Sequence, residues 1–595
     1  MEIKGLNDKE VLELREKYGK NKIVTDKKES FIVKIIHIIC EPMFLLLIAA
    51  STIYFVLGEV RDGFIMFIFI FGIGSYPLMD IDETRYASMA HDMFRSKDFM
   101  TLYLNGEYFF EKPPLFFWLE CLSFGLFGKV NEFTVRFPVA MLGLLCSFLV
   151  YFTGKKIVSR KFGIASALIL ATSVEFFILS KFAILDIVLT FCTTFSIFFG
   201  FITLFCEEKN KKWFWWLFYI FSGLAVLAKG IPGFVLPFGT MFFVYITAKK
   251  FKELFKPLFF IPGTLLFFAI VLPWHILMLD KHDPLFFNEY IMKHHIARFT
   301  TSADLGRKQP VWFFAVTILW GFFPWILPLI ATCKNWFLEI LQTFKNGFDF
   351  NKMDNLQKFI TINAIAAIFT LTFFSISSSK LVTYILPIYP FLACLTAKII
   401  IDYCQEEKIN KFISMINFVF GAIFIVAGCA IPYIIMPFFP SEIDSFAFEL
   451  TPFSPILIIG GILLLVFTIK KSKKQIFISV IAIMTMLSAI GIPTAFKFDY
   501  LFGQNELMDF AKQAKANNQQ LASFGFGRRF SLNYYYQKHV IYEKFPIYER
   551  LNELLQDDNT VIVIKNKDLE EYKKHANFTV IRDGYKYLLI KKDEQ

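Results

Sequence analysis

The sequence contains no Walker P-loop, which excludes P-loop nucleotide hydrolysis. It has no cysteine beyond Cys429, and its nine cysteines lie scattered, mainly in or beside apolar runs. That distribution excludes a disulfide framework. Charged residues are sparse at 19%, against roughly 25% in ordinary soluble domains. No cleavable signal peptide is visible, because the first apolar run follows about forty polar residues. The formal charge of +11 is spread over loops. It therefore speaks to orientation in a membrane and not to nucleic acid.

What the chain has in abundance is apolar length. Of 595 residues 56% are hydrophobic, and 78 are phenylalanine. Crossing a bilayer takes roughly 20 apolar residues in a helix. Runs approaching or exceeding that length occur at 41–58, 63–79, 137–154, 163–180, 184–205, 213–228, 231–247, 257–279, 311–332, 358–376, 382–402, 412–438, 453–469 and 475–496. The fold class is accordingly mainly α, a polytopic membrane protein. After residue 497 the pattern changes to that of a small water-soluble α/β domain. Helical stretches near 504–516 and 547–555 alternate with β-rich runs at 561–564, 578–581 and 585–590.

Basic clusters mark cytoplasmic loops. They occur at 206–212, 249–256 and 470–474. Alternating sides from these anchors puts segments 80–136, 280–310 and 375–381, and the tail after 497, on the opposite face. The short turns holding Lys181 and Lys229 fall there too. Every polar constellation suited to chemistry is thus expected on one side.

The richest of these is residues 80–114, DIDETRYASMAHDMFRSKDFMTLYLNGEYFFEKPP. Asp82 and Glu83 could orient or deprotonate an acceptor, or bind a metal with neighbours. They could equally be the first turn of a helix, where acids complement the dipole. Arg85 and Lys112 are cations at the membrane surface. Arg grips phosphate through paired hydrogen bonds and Lys acts as a point charge, while the structural alternative is snorkelling toward head groups. Asp186 heads an otherwise apolar span, where an acid is expensive and a functional suspect. Its structural alternative is a pair with Lys181. Lys229 is a cation between two apolar spans, flanked by Gly and Pro. His294, His295 and Arg298 form an HHxxR group. Imidazole is a common metal ligand, but this spacing also suits interfacial histidines. Tyr384 by itself reads as an interfacial aromatic.

From residue 80 onward the chain resembles the bacterial lipid-linked-sugar glycosyltransferases of the ArnT and protein-mannosyltransferase type, which have the GT-C fold. The resemblance rests on DETRYA at 82–87, NGEYFFEKPPLFFW at 105–118, AILD at 183–186, AKG at 228–230, LPW at 272–274, HHIARF at 294–299, FFPW at 322–325 and SSSKLVTYILP at 377–387. The closest pattern is that of 4-amino-4-deoxy-L-arabinose transferase. The resemblance implies a polyprenyl-phosphate sugar donor and a lipid, glycan or protein acceptor in the envelope. It implies an active site and C-terminal domain on the periplasmic side of the inner membrane. Asp82 becomes the candidate catalytic carboxylate, with Glu83 and Asp186 beside it. Arg85, Lys112 and Tyr384 would hold the carrier phosphate, with Lys229 and Arg298 as further substrate-binding residues. Glu111 and His295 are the candidate ligands of a divalent metal, zinc or magnesium.

Residues 5–36 and the run to 70 resemble instead the start of a P-type cation-transporting ATPase. Such a pump needs an aspartate phosphorylated within DKTGT, and the sequence has none. If 41–58 and 63–79 both cross, parity places the N-terminus outside, yet residues 1–36 read as cytoplasmic. Either 41–79 is not two full spans, or the segment is an appended piece joined near residue 72; the second is favoured. The expected domains are 1–72, the membrane transferase 73–497 and the periplasmic domain 498–595. The competing readings are a cation-transport-related membrane protein and a non-catalytic envelope protein that binds lipid carriers.

Overall fold

In the computed structural model, residues 68–297, 308–332, 349–405, 411–435, 453–495 and 503–593 are described. The expected span 41–58, the ATPase-like piece to residue 67 and Arg298 lie outside them, as does the side chain of His295.

Apolar runs become helices because lipid offers the backbone no hydrogen-bond partners. The first elements are α1 (Asp82–Ser96), a hairpin of β1 (Tyr103–Leu104) and β2 (Glu107–Tyr108), then α2 (Leu115–Phe127). The membrane helices continue with α3 (Glu132–Ile157), α4 (Arg160–Ala171), α5 (Val174–Leu179), α6 (Leu185–Ile202), α7 (Glu208–Lys229), α8 (Ile231–Thr247) and α9 (Pro257–His282). A π-helix follows over Phe287–Ala297. Then come α10 (Phe313–Gly321), α11 (Ile326–Thr332), α12 (Asn355–Ile376), a 3-10 turn (Val382–Ile388), α13 (Tyr389–Gln405), α14 (Lys411–Ile435), α15 (Phe453–Ile469) and α16 (Lys473–Ala495). Among the described residues six helices are long and apolar enough to cross a membrane, or seven if the bent pair α10–α11 counts as one span.

Three expected spans differ. The described part of 63–79 is helical only through Ile70 and then turns. The run 163–180 breaks at Thr172–Ser173 into α4 and α5. The run 311–332 bends by 117° between α10 and α11. The last two breaks face each other. The Val174 N–H donates to the Phe323 carbonyl at 3.3 Å, and the Trp325 indole N–H donates to Thr172 Oγ1 at 3.0 Å. Each interruption thereby supplies polar partners to the other, the condition for irregular backbone at membrane depth.

The hairpin of α7 and α8 turns at Gly230, whose φ of 70° favours glycine. Three residues on, Gly233 lies against the Ala225 carbonyl, so closely that an added Cβ would collide with that backbone. Gly233→Ala should therefore cost about 1–3 kcal/mol through overpacking. It should lower the melting temperature of the purified chain; unchanged melting would refute the close packing.

The C-terminal domain comprises α17 (Gln504–Ala516), β3 (Gln520–Phe524), α18 (Phe530–Tyr536), β4 (Ile541–Glu543), α19 (Tyr548–Gln556), β5 (Thr560–Lys565), α20 (Leu569–Tyr572), β6 (Phe578–Arg582) and β7 (Tyr587–Lys592). The sheet order is β4-β3-β5-β7-β6, with β3 parallel to β4 and β5, and β7 antiparallel to β5 and β6. One face packs Ile562, Ile564, Leu588 and Ile590 against Leu551 and Leu555 of α19. The domain grips the first polar segment directly. Asp80 accepts from Ser531 N at 2.9 Å and Ser531 Oγ at 2.8 Å. Asn105 of the hairpin exchanges hydrogen bonds with the Val540 backbone at 2.9 and 3.0 Å.

Candidate active site

Asp82 opens α1, so the helix-start reading of the acidic pair holds geometrically. Its half-exposed carboxylate accepts from Arg85 Nη2 at 2.7 Å. The Arg85 guanidinium also lies 5.0 Å from the Tyr86 ring centroid and 5.8 Å from that of Phe109. Burial works to lower the Arg85 pKa, but Tyr86, Asp82 and Glu111 outweigh it and raise the pKa above the usual value. Arg85 thus stays a cation, and Glu111 is close enough to contribute to its field.

Glu83 occupies a different environment from its neighbour. It is 2% exposed and faces the fully buried Arg136 of α3. Its Oε1 accepts from Arg136 Nε at 2.7 Å and from the Ala183 N–H at 2.9 Å. Its Oε2 accepts from Arg136 Nη2 at 2.7 Å and from the Met79 N–H at 2.8 Å. Arg136 gives its other three N–H groups to the carbonyls of Ile73, Tyr76 and Pro77 at 2.7–2.8 Å. All five guanidinium donors are used, and so are the carboxylate's four lone-pair directions. Glu83, expected beside Asp82 in catalysis, has no acceptor capacity left for substrate or metal. It clamps the approach to α1 to the turn before α6.

Asp186, at the start of α6, pairs with Lys229 at the end of α7 and not with Lys181. Lys181 instead donates to the Phe71 carbonyl at 2.8 Å and lies over the Phe177 ring. The Lys229 ammonium also sits 4.0 Å from the centroid of the Tyr384 ring. Tyr384 comes from the 3-10 turn after α12.

Lys229 and Tyr384 border a cavity of about 390 Å³. Glu111, Lys112, Lys229, His294, Ser377, Ser379 and Tyr384 line it with polar groups, and Ile231, Pro232, Val235, Ile296, Phe373 and Phe374 make its apolar walls. The structure therefore brings together Glu111, Lys112, Lys229 and Tyr384, with Asp186 held to Lys229. Arg85 and Asp82 join through the field of Glu111 on Arg85. Glu83 is set apart in its clamp. His294 lines the cavity wall, with Nε2 3.6 Å from a Glu289 carboxylate oxygen. Among the described residues no three His, Cys, Asp or Glu side chains cluster to hold a metal ion. Of the two candidate ligands, Glu111 lines the cavity and the His295 side chain lies outside the described residues.

Sequence reasoning missed Arg136, Ser377 and Ser379. Arg136 had a readable signal, a lone cation at the head of the apolar run 137–154, where burial demands a partner. The serines lay inside the quoted SSSK stretch, and only the backbone path after α12 shows that two of them border the cavity.

Residues 63–282 match the profile of the dolichyl-phosphate-mannose-protein mannosyltransferase family, and residues 2–54 match that of the cation transporter/ATPase N-terminus. The undecaprenyl phosphate-alpha-4-amino-4-deoxy-L-arabinose arabinosyl transferase of Yersinia enterocolitica is 28% identical over 368 residues, covering 60% of this chain and 62% of that enzyme. The chain spans about 62% of the length of the curated arabinosyl transferases it matches. An uncharacterized protein of Aquifex aeolicus is 30% identical over 344 residues, 58% of this chain and 72% of that protein. The crystal structure of ArnT from Cupriavidus metallidurans bound to undecaprenyl phosphate superimposes with a TM-score of 0.71 at 18% identity, over 92% of this chain and 97% of that one, and so shares the fold. The chain belongs to this protein-mannosyltransferase and ArnT family of membrane glycosyltransferases.

Proposed function

We propose that the chain transfers a sugar from a polyprenyl-phosphate donor to an envelope acceptor at the outer face of the inner membrane. The observation that carries this reading is the composition of the cavity. Two lysines, two serines and a tyrosine border the same space as a wall of Ile, Pro, Val and Phe. An anionic phosphate joined to an apolar chain matches both halves. The likeness to arabinosyl transferases favours an undecaprenyl carrier and an aminoarabinose-like sugar on a lipid A-like acceptor.

In the reaction the acceptor oxygen forms a bond to the anomeric carbon while the bond from that carbon to the phosphate oxygen breaks. The polyprenyl phosphate departs with the electron pair, and the anomeric configuration inverts. Lys112 and Arg85, with the Tyr384 hydroxyl, stabilise the charge that grows on the leaving phosphate. Asp186 fixes Lys229 against the Tyr384 ring and so orients that hydroxyl. Asp82 orients the acceptor and takes its proton when the acceptor is a hydroxyl; an acceptor that is already a phosphate needs no base. The departure of the phosphate as drawn needs no metal. Glu111 and His295 remain the residues that would hold a zinc or magnesium ion on the acceptor side. The junction with the ATPase-like piece near residue 72 belongs to the same reading; the two family matches cover residues 2–54 and 63–282. Phe69 already packs on Phe176 of the transferase.

The donor assignment predicts that the purified chain is stabilised against heat by undecaprenyl phosphate. Lys112→Ala should weaken that binding by about 1.5–3 kcal/mol, the worth of a charge-assisted hydrogen bond. Equal stabilisation of wild type and variant would remove Lys112 from the phosphate site.

A further inference from the structure

Apart from this cavity, α13, α14, α15 and α16, with the bend between α10 and α11, enclose a second cleft of about 80 Å³. We infer that it seats the upper part of one acyl chain of an anionic phospholipid, the rest of which lies in the bilayer, in the leaflet that carries the lysine-rich turn 470–474, which is the cytoplasmic leaflet on the orientation given above.

The cleft sets a cation beside a mainly apolar wall. Among its lining residues is Lys473, the first residue of α16, whose ammonium lies 4.6 Å from the Tyr403 ring centroid. Lys470, Lys471 and Lys474 sit in the same turn and are exposed. The neighbouring acid, Asp402, is already paired with Lys398 at 2.5 Å. Asn417, six residues or about 9 Å from the start of α14, lines the same cleft. Its Nδ2 is buried and has no hydrogen-bond partner among the described residues. The remaining wall is mainly apolar on both sides of it, Ile413 and Ile416 toward the start of α14 and Phe420, Phe424, Val480 and Ile483 further along.

Cation, hydrogen-bond donor and hydrocarbon are the partners that a phospholipid's phosphate, ester carbonyls and acyl chain take. Charge selects the lipid class, since basic clusters beside membrane helices attract anionic head groups. A buried amide N–H without a partner is costly, and an ester carbonyl beside it would satisfy it. A cleft that opens between helices near the membrane surface can be filled from the bilayer without leaving it.

The test uses the full chain purified in mild detergent and exchanged against phosphatidylglycerol or phosphatidylcholine of identical acyl chains, with retained lipid counted by native mass spectrometry. One phosphatidylglycerol should be held per chain in preference to phosphatidylcholine. The double variant Lys473→Ala/Lys474→Ala should lose about fivefold in that preference for each lysine. Val480→Trp should displace the lipid altogether by filling the apolar part of the cleft. Equal retention of the two lipids by the wild-type chain would overturn the site without reference to any variant. So would a lysine effect combined with an unaltered count in Val480→Trp, which would assign the charge to the bulk membrane surface and leave the cleft empty of lipid.

Discussion

Arg136→Met should leave little folded protein in the membrane. The substitution keeps the apolar bulk of the side chain but strands the Glu83 carboxylate, which is 2% exposed. It also strips partners from the carbonyls of Ile73, Tyr76 and Pro77. Removing one member of a buried ion pair typically costs about 3–5 kcal/mol, a large part of the roughly 5–15 kcal/mol that holds a domain together. Glu83→Gln should destabilise as well, because the amide keeps one acceptor oxygen but turns the other into an NH2 that faces two N–H donors, and the Arg136 charge loses its partner. Arg136→Met combined with Glu83→Leu should regain part of the loss, since no charge is then left buried, though the three carbonyls stay unpaired. Quantifying protein in the membrane fraction and its melting temperature for the four forms checks the scheme. A wild-type amount of Arg136→Met with unchanged melting would show that the clamp contributes nothing to stability.

The second large effect is on turnover and not on folding. Asp82→Asn should abolish transfer while the protein accumulates normally. The carboxylate is half exposed and engages Arg85 through a single short contact, so neutralising it removes little from the fold. General-base assistance is worth about 10²–10⁴-fold, and the electrostatic orientation of the acceptor is lost with the charge as well. The pairing with Arg85 adds a coupling. Arg85→Ala should abolish transfer too, through the phosphate, and combining it with Asp82→Asn should not multiply the two losses. A control lies at the opposite face. Lys209 pairs with Glu207 with both side chains largely exposed, an arrangement worth little, so Lys209→Ala should leave transfer and yield at wild-type values. Loss of transfer in Lys209→Ala would place functional groups on the wrong side of the molecule.

The contrast between Asp82 and Glu83 also marks how far sequence reading reached. The two are adjacent, and both looked like members of a reactive pair. On a helix they point 100° apart, so Asp82 is half exposed beside Arg85 while Glu83 is buried against α3, and only the position of Arg136 decides which is which. Helices α8, α9 and α15 were legible to within a few residues, because a continuous apolar run in lipid has one way to satisfy its backbone. The breaks at Thr172–Ser173 and at Phe322–Trp325 were not, because hydropathy averages over a window while the breaks are stabilised by contacts between segments about 150 residues apart. The same limit explains Asp186. Its near neighbour Lys181 was the local candidate, yet the partner is Lys229, brought in by the packing of α6 on α7. Strands β5, β6 and β7 were visible as Val- and Ile-rich runs. Strands β3 and β4 were not, since QLASF and IYE are short and carry no alternation. Of the cavity itself, the residues alone showed Lys112, Lys229 and Tyr384 as separate suspects, the family resemblance put Lys112 and Tyr384 on one phosphate, and the fold sets all three around one space.

The measurement that bears most directly on the central claim is mass spectrometry of envelope lipids and glycoconjugates from cells lacking this chain, complemented with wild type or with Asp82→Asn. A sugar-sized mass absent from one envelope component, restored by wild type and not by an equally abundant Asp82→Asn, is the predicted result, and it names sugar and acceptor together. Glycoconjugates identical in every strain would contradict the transferase reading, and restoration by Asp82→Asn would contradict the role given to that carboxylate.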